Sequence, residues 1–322
     1  MFVFARFLAV MLLVAGLAHA EPRVWKNQWP DTNFKKSSID NWSEIMSGGP
    51  PKDGIPAISD PEFLKVSDET QIGGNEPVMT LEIEGAVPRA YPIRYLTFHE
   101  IVNDTVGGVP VAVTFCPLCN SGITFDRRVE QGTLTFGVSG KLRNSDMVMY
   151  DRETESWWQQ AVGEAIVGDL TGTELKMLPG WMESWDTFKA RNPEGLVMAE
   201  PNYPRRYGRN PYVSYDSSSR PFLYRGEQPP HGVPPLVRVV RVGDRAWPLT
   251  RVREEGGVSE AGVKISWEAG QASALDAEVI AQGKDVGNVR VRDANGNDVV
   301  HDVMFAFAFH AFWPDGTWML GN

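Results

Sequence analysis

The only two cysteines of the 322-residue chain stand in one short turn, Cys116-Pro117-Leu118-Cys119, inside VAVTFCPLCNSGITFDR (Val111 to Arg127). Two sulfurs at this spacing have three chemical uses. A dithiol exchanges with disulfides when its first cysteine is activated as a thiolate, as happens at a helix N-terminus through the helix dipole. A pair of thiolates can instead grip a soft ion such as Cu(I) or zinc. The third use is a structural disulfide. Closing so short a loop is worth only about 2 kcal/mol in the loop-entropy model, so stability alone is a weak reason for the spacing.

The residues after Cys119, Asn-Ser-Gly-Ile-Thr-Phe-Asp, alternate like a strand and contain no helix-forming run, which counts against a thioredoxin-type dithiol. Structural zinc takes four protein ligands, and the chain has no second Cys-x-x-Cys. Further ligands must come from elsewhere. His99 is the first candidate, because its segment directly precedes the strand that delivers Cys116. His231 sits in a Pro-rich loop, His301 in a polar turn, and His310 in the apolar run FAFAFHAFWPDG, where a core role is the better reading. Met147 and Met149 share one strand face and could offer thioether sulfur, although core filling is the commoner use of such a pair. Copper leads among the ions, with zinc behind it.

If the cysteines are only a disulfide, the neighbouring polar residues become the candidate binding surface. Asp126, Arg127, Arg143, Asn144, Asp146, Asp151, Arg152, Trp157 and Gln159 would line a cleft for a small molecule. No reaction is fixed by motif. Gly137-Val-Ser-Gly lacks the spacing of a nucleophile elbow, and Gly107-Gly108 precedes a strand rather than the helix that a phosphate loop needs.

These residues need a scaffold, and the chain supplies 42% hydrophobic residues with a net charge of −10. That composition gives a substantial core and argues against nucleic acid, whose phosphates require a cationic face. Residues 1–20, MFVFARFLAVMLLVAGLAHA, read as a signal peptide cut after Ala20, which places the mature protein in the periplasm or outside the cell with no membrane span left. A metal ion or small molecule, and another periplasmic protein, are the partners this implies.

Residues 21–76 mix tryptophans with GGPPKDGIP and read as an irregular arm. Between 77 and 199 the pattern predicts strands at Met79 to Gly85, Val109 to Phe115, Ile123 to Arg128, Thr133 to Gly140 and Asp146 to Asp151. Short helices are expected at Leu96 to Asp104, with Thr97 and Glu100 as a capping box, and at Trp181 to Arg191. Residues 200–235, rich in Tyr, Pro and Arg, form a packed strap. Three echoes then recur in order: Ala90-Tyr-Pro-Ile with Ala246-Trp-Pro-Leu, Gly108-Val-Pro-Val with Gly262-Val-Lys-Ile, and Phe188-Lys-Ala-Arg-Asn-Pro-Glu-Gly with Phe309-His-Ala-Phe-Trp-Pro-Asp-Gly. They predict a mainly β (α+β) fold of two related antiparallel β units from an internal duplication, the second being 236–322 and lacking the cysteines.

AYPIRYLTFHEIVND, VTFCPLCNSGITFDR, FGVSGKLRNSDMVMYDRETESWWQQ and the later WPDG resemble the bacterial family called domain of unknown function 3179, from about Asn75 to the C-terminus. Asn120 departs from the glycine usual after the second cysteine. The resemblance implies an exported protein with paired related halves and carries no settled activity. The leading function is an exported metal-binding protein for copper or another thiophilic ion, serving metallocofactor handling or redox chemistry. A periplasmic dithiol oxidoreductase and a ligand-binding module with a structural disulfide are the alternatives.

Overall fold

Alternating β-branched and aromatic residues make strands wherever one face can be buried, and here they make most of the protein. The computed structural model describes residues 23–321, so the leader expected over 1–20 lies outside the described residues. Among the described residues, five sheets of three to five strands carry the fold in a mainly β, five-bladed arrangement, with four short α-helices between them. None of these helices is long and apolar enough to cross a membrane.

The expectation of two related antiparallel units does not hold. Three of the five sheets contain a parallel pair: Leu196–Met198 on Arg89–Pro92, Ile58–Ser59 on Ile101–Val106, and Thr317–Trp318 on Arg245–Pro248. The segments are also interleaved, with Ala272 N donating to Asn75 O across nearly two hundred residues. The echoes are local devices used twice. Pro92 and Pro248 each cap the start of a helix, Ile93–His99 and Leu249–Glu254. Gly195 and Gly316 each donate back to a helix-ending residue, Asn192 and Trp313, at 2.9 Å. A strand-to-helix corner and a helix exit need such residues wherever they occur.

Two sheets position the cysteines. Val109–Cys116 pairs antiparallel with Ser121–Asp126 on one side and with Ile101–Val106 on the other. The strand expected to extend this meander instead belongs to the next sheet, where Phe136–Arg143 pairs with Asp146–Asp151. Asn144 and Ser145 join those two strands as a two-residue turn with both φ values positive, 51° and 65°, the geometry that suits the twist of a hairpin. The register slips between Val138 and Lys141. Gly140 sits at that slip with φ +71°, and a Cβ there would lie 2.0 Å from the Pro50 carbonyl oxygen. Only glycine fits where the arm crosses.

The arm is therefore part of the body. Its strand Ile45–Ser47 pairs with Phe136–Arg143, and Trp25, Trp29 and Phe34 ring Trp157 at 5.2 to 5.4 Å between centroids. Edge-on aromatic packing of this kind adds to area burial. Replacing a fully buried Trp leaves a large hole, so Trp157→Ala is expected to lower unfolding free energy by about 3–5 kcal/mol. A urea midpoint equal to wild type would show that the arm is not packed this way.

Candidate metal centre

Cys116 ends its strand, and the chain reverses at once. Cys119 N donates to Cys116 O at 3.2 Å and Asn120 N to Pro117 O at 3.3 Å, while Asn120 takes φ 52° and Ser121 starts the return strand opposite Cys116. The turn is fastened from the far end of the sequence: Phe305 N donates to Cys119 O at 2.8 Å, and Asn120 Nδ2 to Val303 O at 2.8 Å. The hairpin turn at 144–145 brings the next sheet to the same place. Asp146 follows it directly, and the ligand atoms of Cys116, Cys119 and Asp146 all lie within 4.8 Å of one another, each residue buried. The cysteines are free thiols, not a disulfide, and both point toward the Ser145 carbonyl oxygen, at 4.0 and 3.6 Å.

Asp146 is oriented from behind. Its Oδ2 accepts from Gln159 Nε2 at 2.6 Å and from Ala161 N at 3.0 Å. Its Oδ1 is buried with no nitrogen or oxygen partner. Burial drives the carboxyl up to about 6 against those two bonds and hydrogen bonding from both thiols. Glu100 adds a second acid nearby. It caps the end of the helix Ile93–His99 with φ 59°, and its carbonyl accepts from Phe115 N at 2.8 Å, beside Cys116. Its carboxyl is pushed up to about 8, first by burial and then by the charge of Asp146. Burial also raises Cys116, and raises Cys119 well above the thiol range with Cys116 adding to the effect.

Two thiols and two carboxyls thus share a dry region. No cation among the described residues acts on Glu100, and uncompensated buried charge is costly. Protons can neutralise such a cluster, and so can a metal ion. The donor set fits an ion: two sulfurs and one free carboxylate oxygen, with a hydrogen-bonded amide behind the carboxylate, match the ligand types and outer-shell support of zinc sites.

The structure does not place His99 in this cluster. Both of its ring nitrogens are engaged, Nδ1 with Pro56 O at 2.7 Å and Nε2 with Tyr207 Oη at 2.6 Å, and the residue that the structure brings beside the two sulfurs is Asp146. The nine polar candidates do not line one cleft either. Asp126 is gripped by Arg128, and Arg127 donates to the carbonyls of Val111, Leu134 and Asp104. Arg143 pairs with Glu44 at 2.9 Å and Arg152 with Asp53 at 2.8 Å. Asn144 is a turn residue, and Asp151 accepts from Trp158 Nε1 at 2.8 Å. Trp157 belongs to the aromatic cluster of the arm. Of the nine, Asp146 and Gln159 reach the sulfurs' neighbourhood.

The capping box expected of Thr97 and Glu100 is not formed. The helix in fact begins at Ile93, so Glu100 stands at its end. The signal available was its position one residue before the strand Ile101–Val106, which pairs with the cysteine strand.

Fold and cluster together define a mainly β protein built around a buried dithiol–carboxylate site. Residues 52–316 match the family model described as Protein of unknown function (DUF3179), and the chain belongs to that family. No curated protein and no solved structure matches it.

Raised thiols make poor nucleophiles. In metal-free protein, iodoacetamide alkylation of Cys116 and Cys119 is expected to rise only above roughly pH 8.5, the ordinary thiol value. A midpoint below that value would mark an activated dithiol instead.

Proposed function

We propose that this chain is an exported metal-binding protein whose Cys116, Cys119 and Asp146 hold one thiophilic ion, and that the ion is zinc ahead of copper. The observation that carries the reading is the buried Asp146 carboxylate, whose Oδ1 has no nitrogen or oxygen partner and which shares a 4.8 Å cluster with both sulfurs. A carboxylate oxygen suits zinc better than Cu(I), which prefers sulfur throughout. Three protein ligands leave one position of a tetrahedral ion free, the pattern of zinc sites that meet a water or a substrate. Gln159 and the Ala161 amide hold the carboxylate in place. Two features speak against a dithiol exchanger: Cys116 stands at a strand end rather than a helix start, and burial disfavours its thiolate.

Protein isolated under reducing conditions is expected to carry one zinc per chain by elemental analysis. Cys116→Ser and Asp146→Asn should each weaken zinc binding by more than the 10- to 100-fold typical of outer-shell changes, and Gln159→Leu by roughly that range. Binding should also weaken as pH falls, because the ligands must lose their protons to bind and the folded state holds those protons tightly. Absence of any stoichiometric metal would end this reading; copper in the same amount would keep the centre and change the ion.

A further inference from the structure

The sulfurs and Asp146 are sealed from solvent, yet an ion or a partner must reach them, and one short segment of the strap bonds to the residues around them. Cys116, Cys119 and Asp146 are at most 1% exposed. In front of Leu118 lies a cavity of about 420 Å³ bounded by Pro50, Pro211, Tyr212, Tyr215 and Phe222, with no charged side chain in its lining. Tyr212 and Tyr215 line this cavity and also pack against the apolar cluster that holds both cysteines.

Two anchors bracket the covering segment. Asp216 is fixed by Arg238 at 3.1 Å, Ser273 Oγ at 2.6 Å and Lys284 at 3.0 Å. The Tyr224 ring packs on Phe307 at 4.8 Å. Between them the chain is mostly exposed, with Phe222 at 50%, and it touches the site through the Phe222 backbone: Phe222 N donates to Tyr215 Oη at 3.1 Å, and Ser145 Oγ donates to Phe222 O. Tyr215 Oη in turn donates to Leu118 O at 3.0 Å. Leu223 sits beside this latch with φ 53°, a left-handed conformation that strains a leucine. A segment held by so few bonds and strained when closed opens at far lower free energy than the sheets around it.

We infer that residues 217–223 form a gate beside the sulfur centre, latched by the Phe222 backbone on Ser145 and Tyr215, and that the uncharged cavity whose wall they help form is the vestibule through which small neutral molecules and ions reach Cys116 and Cys119. This deepens the metal-binding reading and rests on it for its purpose. Its test does not depend on it, because accessibility of the thiols can be read without metal.

The probe is 4,4′-dithiodipyridine, a neutral aromatic disulfide, applied to chelator-stripped, reduced full-length protein while thiol release is followed by absorbance. Wild type is expected to label slowly, at a rate nearly independent of low urea, because only the gate must open. Tyr215→Phe and Ser145→Ala, each removing latch bonds, should label faster by about fivefold to tenfold while retaining wild-type urea slopes for unfolding. A labelling rate that climbs with urea along the full unfolding slope, or variants that label no faster than wild type while remaining folded, would overturn the gate. Zinc content measured separately on the same preparations tells failure of the gate from failure of the metal centre: unchanged zinc with no latch effect removes only the gate, and accelerated labelling without zinc removes only the metal.

Discussion

A buried carboxyl facing two sulfhydryls in the dry interior, with no cation beside it among the described residues, is the condition around which the rest is arranged. Such a group destabilises a fold unless protons or an ion neutralise its surroundings. The molecule nevertheless holds it firmly. The Asn144-Ser145 turn fixes where Asp146 begins, Gln159 and the Ala161 amide fix how its carboxylate faces, and the left-handed residue Glu100 brings a second acid toward the same spot. Local departures from comfortable chemistry that are held in place by rigid neighbours mark functional sites more often than structural ones.

The apolar surroundings serve the same end. Cys116 and Cys119 belong to a core cluster with Met147, Met149, Trp158 and the run Met304 to Phe309. Excluding water lowers the local dielectric, which strengthens attraction between an ion and its ligands as much as it raises the cost of leaving them charged and empty. Met147 and Met149, considered as soft ligands from sequence, pack in this wall, where their flexible thioethers fill space around the donors.

Much of the strand content was legible because period-2 alternation survives in single segments: Asp146–Asp151 and Val109–Cys116 fall where the pattern predicted. Partnership between segments was not. The third strand of the expected meander changes sheet because Gly140 lets the chain bulge beneath Pro50, a consequence of tertiary crossing that no local window contains. The same limit produced the two-unit reading, since corners built from proline and glycine look alike whatever they connect. At the site, the cysteine turn is evident from spacing and Asp146 from its polarity, but their meeting in one buried cluster is not. His99 was favoured for its closeness in sequence, yet its ring is spent on Pro56 and Tyr207. Burial beside both sulfurs, the property that distinguishes Asp146, exists only in three dimensions.

The two hydrogen bonds that reach back from Val303 and Phe305 to the cysteine turn have a bearing on when the centre can exist. A chain emerging from the ribosome or crossing a membrane presents Cys116 long before it presents residue 305, and contacts so distant in sequence close late in folding. Until then the turn lacks its last tethers and the apolar wall of Met304 to Phe309. Assembly of the sulfur cluster therefore waits on residues 303–309, and a product lacking them would offer loose thiols rather than an ordered pair.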